Sequence, residues 1–258
     1  ALMLIPEIDP IALQIGPIAI RWYGLTWLAA FSTIYFLINR YQKNLNNEQV
    51  SDLMFYSLLG AIIGGRTGYI FFYSIDQFFA NPLSLFFVWE GGLSFHGGLL
   101  GVLVACYFQS KTLNVTFFWL MDKVATYVPP GLGLVRLGNF MNSELLGRPT
   151  EMSWGVIFPS DPLGLTRHPS QLYQAFGEGI VLFIYLLWMS KKKQPVGYIS
   201  GQFLLGYGSI RFITEFFRMP DQHIGFVAFE AITRGQMLSV PMIVIGLFLI
   251  YHSQTRQV

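Results

Sequence analysis

The chain has 258 residues, of which 53% are hydrophobic, 17% aromatic and 12% charged, and a mean hydropathy of +0.49, so it carries about half the charge of an average soluble domain. A formal net charge of +2, with no basic run interleaved with aromatics, argues against a nucleic-acid partner. A single cysteine, Cys106, excludes an internal disulfide or a cysteine-rich metal site. Apolar residues gather in blocks close to the roughly 20 residues that cross a bilayer. The expected fold class is therefore an all-α integral membrane protein of about seven transmembrane helices, with short amphipathic interfacial segments on the outer face, forming a single multi-pass membrane domain over 1–258.

The first residues carry acids and proline instead of a basic stretch ahead of an apolar core, so no cleavable signal peptide is expected. Span one is predicted over 18–38, with Tyr23 near its outer end, and span two over 50–72. In span two, Gly64, Gly65 and Gly68 have the small-residue spacing that lets membrane helices approach closely. Arg66 beside them reads as a snorkelling side chain, a structural ion pair or a site residue. Segment 76–92 is too short and interrupted to span, and Phe86, Phe87 and Trp89 suit an interfacial aromatic belt.

Span three, 93–108, opens on His96, whose flanking glycines leave its ring open to a ligand; a satisfied buried histidine is the plainer reading. Cys106 in the same span fits a small apolar core position. Span four, 117–136, carries Asp122 and Lys123 toward one interface, and Pro129 and Pro130 should kink or stop the helix there. Beyond them, residues 131–148, GLGLVRLGNFMNSELLGR, place two arginines, two asparagines and a glutamate in glycine-rich apolar sequence. Irregular backbone at membrane depth persists only where it lines a cavity or water, which marks the stretch as a functional candidate. Span five, 171–189, contains Glu178, expected to pair with a neighbouring arginine. Span six covers 199–217 and span seven 236–251.

Orientation follows the lysines and arginines of the connections. One set of loops holds Arg40, Lys43, Lys111, Lys191, Lys192, Lys193 and Arg256; the other holds Arg148, Arg167, Arg218 and Arg234. The N-terminus is therefore expected outside and the C-terminus in the cytoplasm. Tyr23, Arg66, His96, Arg136, Glu178, Arg211 and Glu215 then gather toward the outer leaflet. Span six sharpens the pattern, because Tyr207, Arg211, Glu215 and Arg218 fall within an arc of roughly 80° at 100° per residue. Arg211 and Glu215 can pair at i and i+4. Arg136 reaches the same depth from span four, with Asn139 one turn on. Two guanidiniums in a low-dielectric cavity repel unless an anion or carboxylates lie between them, and their planar forks suit phosphate. An anionic phospholipid headgroup is the nearest abundant candidate.

These residues carry a resemblance. PEIDP at 6–10, IRWYGL, GGRTGY, GGLSFHGGLLG, RLGNFMNSELLGR, RHPSQLY, GYGSIRFITEFFR and GQMLSVPM at 235–242 follow, in order over nearly the whole chain, the pattern of the phosphatidylglycerol–prolipoprotein diacylglyceryl transferases. The block with Arg136 and Gly138 to Gly147 resembles that family's signature segment. The family's motif positions are matched by Tyr23, His96, Arg136, Asn139, Glu144, Gly147, Tyr207, Arg211 and Glu215.

The resemblance implies an enzyme of the bacterial inner membrane. It would transfer the diacylglyceryl group of phosphatidylglycerol to the lipobox cysteine thiol of a prolipoprotein signal peptide, forming a thioether and releasing glycerol phosphate. No cofactor and no metal are implied. Arg136 and Arg211 are the candidates for the phosphate, and Asn139, Tyr23, Gly147 and Tyr207 for the lipid headgroup. Glu144, Glu215 and Arg66 would support them. His96 is the side chain of suitable chemistry to take the thiol proton, or it positions lipid. A transporter or flippase for an anionic lipid would use the same arginines, and a structural membrane subunit would use the polar groups only to hold helices together.

Overall fold

The computed structural model describes residues 3–4, 6, 8–16, 18–88, 92–220 and 233–255. Trp89 and Arg256 lie outside the described residues. The chain divides into two compact units, one of residues 37–121 and one of 1–36 with 122–258. The described residues are mostly helical. Helices occur over the expected spans, although only two runs, Ser170–Ser190 and Gly235–Thr255, are both long and apolar enough to cross a bilayer by length and composition.

In the unit 37–121, α2 (Asn47–Tyr73) begins with a reciprocal cap in which Asn46 and Gln49 satisfy each other's backbone donors. Helix α4 (Phe95–Thr112) is capped by the Ser94 hydroxyl, which accepts from the Gly97 amide. The two helices pack along glycines. A Cβ on Gly60, Gly64 or Gly68 would strike the backbone of Gly97 or Gly101, so the expected close approach is realised at a spacing of four residues on both helices. Arg66 is buried and donates to the carbonyls of Ser84 (2.5 Å) and Gly92 (3.4 Å). It thereby ties down the stretch predicted as interfacial, which forms α3 (Ile75–Ala80) and a 3₁₀ turn, Pro82–Phe86, with Phe79, Leu83 and Phe86 exposed.

In the other unit, span one starts later than expected. Ile18–Arg21 forms strand β3 and pairs antiparallel with β2 (Ile11–Ile15) across a turn at Gly16, and α1 (Trp22–Tyr41) follows directly. Two further strands, β4 (Val156–Ile157) and β5 (Thr166–Arg167), join β1 (Met3–Leu4) in the order β1-β4-β5. An all-α chain was expected. These short strands are rich in the β-branched residues that suit extended pairing.

Span four is two helices, α5 (Phe117–Ala125) and α6 (Val128–Met141), because Pro129 and Pro130 occupy the first turn of α6, where their missing donors cost least. The stretch expected to be irregular from Gly131 is helical to Met141. The irregularity begins at Asn142, with Ser143 and Leu145 at positive φ. Span five is one helical run of three parts: α7 (Ser170–Gln174), a π-helical segment Ala175–Val181 and α8 (Leu182–Ser190). Helix α9 (Tyr198–Thr214) tightens into a 3₁₀ turn, Glu215–Phe217, and α10 (Arg234–Thr255) packs on α9 through Gly201, Gly208 and Gly246.

Two buried carboxylates organise this unit away from the arginine cluster. Asp122, expected to be interfacial, is buried and accepts from the amides of Gly197 (2.7 Å) and Ser200 (2.8 Å) and from the Ser200 hydroxyl (2.6 Å), capping α9 from another helix. Asp161 meets Arg167 through two bonds of 2.8 and 2.9 Å, and Arg167 also donates to the Gly147 carbonyl (3.1 Å). This fork closes the loop between α6 and α7. The Arg167 bonds hold the Asp161 carboxyl down at about 2, from an ordinary 3.8.

Removing the cap with Asp122→Ala should lower stability by about 1–3 kcal/mol, read as an earlier unfolding transition in detergent. Because the folded Asp161 carboxyl titrates lower than the unfolded one, its contribution is complete above about pH 4 and fades as pH falls toward 2. Limited proteolysis should cut the 142–169 loop increasingly over that window, and Asp161→Asn should show the same cutting at neutral pH.

Candidate active site

The cluster begins with α6, which turns Arg136 and Asn139 inward along one side, three residues apart. Opposite Arg136, the π-helical segment presents Glu178, fully buried. The widened turn is visible in its bonding, since the Leu182 amide reaches back five residues to the Gly177 carbonyl. Glycines allow the approach: a Cβ on Gly133 or Gly179 would run into the other's backbone. Helix α9 supplies Tyr207 and Arg211, and its 3₁₀ extension supplies Glu215.

The charges alternate. Arg136 Nε donates to Glu178 Oε2 at 3.0 Å, Arg211 Nη1 lies 3.8 Å from Glu178 Oε1, and Arg211 Nη2 lies 3.2 Å from Glu215 Oε2. Arg218 Nη1 closes the row at 3.4 Å from Glu215 Oε1. Arg136 Nη2 also donates to the Tyr207 hydroxyl at 3.5 Å. Among the described residues, the row sets three guanidiniums against two carboxylates. Arg136 and Arg211 are 17% and 14% exposed at the side chain, open enough to meet a ligand and dry enough for charge to act strongly. Glu178 Oε1 and Arg211 Nη1 are buried without a hydrogen-bond partner among the described residues.

Asn139 Nδ2 donates to Glu144 Oε2 (3.0 Å), Asn142 Nδ2 donates to Glu144 Oε1 (3.3 Å), and the Glu144 amide donates to the Asn139 carbonyl (2.9 Å). Glu144 therefore orders the end of α6 instead of bracing an arginine. Gly147 packs so tightly on His168 that a Cβ would overlap its carbonyl, and it bridges to Arg218. His168, Tyr173 and Phe217 form an aromatic group beside it, with ring centroids 5.2–5.9 Å apart. Burial lowers the His168 imidazole from its ordinary titration.

Of the predicted residues, Arg136, Tyr207, Arg211 and Glu215 are brought into one group, and Asn139, Glu144 and Gly147 into the adjoining turn. Tyr23 sits on α1 against Trp27. His96 and Arg66 belong to the unit 37–121, His96 exposed at the second residue of α4 and Arg66 committed to the carbonyls of Ser84 and Gly92. Sequence reading assigned Glu178 a neighbouring arginine but not two. The one available signal was an acid at the depth of Arg136 and Arg211 in an otherwise apolar run. The Asp161–Arg167 fork had no such signal.

Comparison with known proteins is in line with this arrangement. The family model described as Prolipoprotein diacylglyceryl transferase matches residues 10–252. The chain is 49% identical over 258 residues to the phosphatidylglycerol–prolipoprotein diacylglyceryl transferase of Pseudomonas putida, covering 98% of this chain and 96% of that protein. It is 52% identical over 257 residues to the protein of the same name from Pseudoalteromonas atlantica, covering 97% and 91%. Likeness of this extent, running through every element that builds the cluster, identifies the chain as belonging to the prolipoprotein diacylglyceryl transferase family.

Proposed function

We propose that this chain transfers the diacylglyceryl group of phosphatidylglycerol to the cysteine thiol of a prolipoprotein, forming a thioether and releasing glycerol phosphate. The observation that carries the reading is the buried row of three arginines and two glutamates among the described residues, with Arg136 and Arg211 partly open at the side chain. It suits an anionic ligand. The enzyme works in a bacterial membrane as a single multi-pass domain of seven spans, with its N-terminus outside, its C-terminus in the cytoplasm and the site toward the outer leaflet. That is the side on which an exported preprotein offers its cysteine.

Bond formation requires a thiolate, and an ordinary cysteine with a pKa of about 8.5 must first lose its proton. The sulfur then attacks the glycerol carbon, the carbon–oxygen bond breaks, and the electron pair stays on the phosphate. Arg136 and Arg211 meet the charge that grows there, because fixed cations in a dry site need no reorganisation at the moment of reaction. Tyr207 and Glu215 hold the two guanidiniums, and Asn139 with Glu144 and Gly147 shapes the adjoining turn around the headgroup, with Tyr23 as a further lipid contact. For His96, in the unit 37–121, the role put to the test is that of taking the thiol proton, with positioning of lipid as the alternative.

In membranes supplied with labelled phosphatidylglycerol and a lipobox peptide, Arg136→Ala and Arg211→Ala should each reduce transfer by on the order of 100-fold or more. Full activity in either folded variant excludes the phosphate role. His96→Gln should slow transfer and flatten its pH profile; a normal rate with an unchanged profile removes the histidine from proton transfer.

A further inference from the structure

The inward face of span five stays polar on the N-terminal side of Glu178. Gln171 and Gln174 on α7 are 0% and 1% exposed, while Phe176 and Ile180 on the opposite face are open. Two contacts bracket Gln174: Glu178 meets Arg136, and Gln171 Nε2 donates to the Glu144 carbonyl at 2.5 Å. Between those contacts lie Asn139 on α6 and Gln174 on α7, both buried. Among the described residues, neither atom of the Gln174 amide has a hydrogen-bond partner, and neither has Gln171 Oε1. A buried amide left unmatched is costly, and native chains keep few of them. Exchanging oxygen and nitrogen at Gln174 changes nothing, since both atoms are orphaned. At Gln171 the assignment is fixed, because the Glu144 carbonyl can accept only from the amide nitrogen. Beside the arginine pair, α7 therefore offers two acceptor oxygens and one donor nitrogen, all uncharged.

Resting on the diacylglyceryl-transfer reading above, we propose that Gln174, together with Gln171, binds the two free hydroxyls of the phosphatidylglycerol headgroup and selects a polyol headgroup. With the phosphate on Arg136 and Arg211, the headgroup glycerol extends from it along α7. Gln174 stands about one helical turn, ~5 Å of rise, from Glu178, a reach comparable with the length of a three-carbon polyol. Each hydroxyl brings one donor and two acceptor lone pairs. One donates to Gln171 Oε1 and the other to Gln174 Oε1, while Gln174 Nε2 donates back to a hydroxyl oxygen. Every orphaned atom of the two glutamines is then matched. An ethanolamine headgroup cannot do this. Its ammonium has donors alone, so Gln174 Nε2 stays unmatched, and a positive charge is brought beside two guanidiniums.

The test uses the full chain in phosphatidylcholine nanodiscs with two lipid donors of equal charge and equal acyl chains: phosphatidylglycerol and its phosphatidylpropanol analogue, which lacks both headgroup hydroxyls. In the unaltered protein, kcat/KM for transfer to a lipobox peptide should be on the order of 100-fold higher for phosphatidylglycerol, because a buried site built for hydroxyls is left unmatched by a ligand without them. Gln174→Met, close in length but without the amide, should bring the two lipids within a few-fold of each other by slowing phosphatidylglycerol far more than the analogue. Gln174→Asn keeps a polar side chain in place but draws the amide back by one methylene, and should lose about tenfold of the preference. Equal use of both lipids by the unaltered protein overturns the proposal without any variant. So does a folded variant that slows both lipids alike, the outcome of a purely structural glutamine. Binding is read separately, as displacement of labelled phosphatidylglycerol by each lipid. Selective displacement without transfer overturns the functional reading and leaves the headgroup site standing, whereas transfer without selectivity overturns the headgroup site.

Discussion

Everything about the larger unit depends on the need to keep buried charges in company. A guanidinium removed from water without a partner costs far more than any single contact contributes, and Arg136, Arg211 and Arg218 are buried with Glu178 and Glu215 standing between them. That requirement fixes three helical runs at once. Helix α6 must face the π-helical segment, and that segment must face α9, or a charge is orphaned. The glycines at 133 and 179 bring the first pair of backbones close enough, and the aspartate cap on α9 sets where the last begins. Charge pairing and architecture are here the same set of contacts.

Much of this was legible in the amino-acid sequence, and the reason is periodicity. Tyr207, Arg211 and Glu215 recur at helical spacing, so their common face and the Arg211–Glu215 pair can be read without coordinates. The diproline at 129–130 announces a break in the helix, and Gly64, Gly65 and Gly68 announce a close helix neighbour. The features that escaped share the opposite property. The partner of Asp122 lies 78 residues away at Ser200, and Arg136 meets Glu178 across 42 residues. No local pattern encodes such a pairing. The irregular backbone was placed too early for a related reason: glycine-rich sequence looks like a broken helix when nothing says that its glycines are needed for close packing.

The smaller unit solves a different problem with the same residue type. Between α2 and α4 the side chains are removed altogether and backbone meets backbone, a seam whose strength lies in dispersion and in Cα–H contacts to carbonyls. Arg66 donates within that unit to the carbonyls of Ser84 and Gly92, tying down a turn with exposed phenylalanines. A buried guanidinium is thus a clamp in one unit and a member of a charge row in the other.

The π-helical turn at Ala175–Val181 has an evolutionary face as well. Such a turn is an α-helix into which one residue has been wedged, with the surplus absorbed locally instead of being passed down the chain. Deleting one residue there would return the run to an ordinary helix and leave α7 and α8 in their present facings, while swinging the carboxylate of residue 178 away from both arginines. The acid that pairs with both arginines therefore occupies a stretch of this helix whose length can change by one residue without disturbing the facings of its ends.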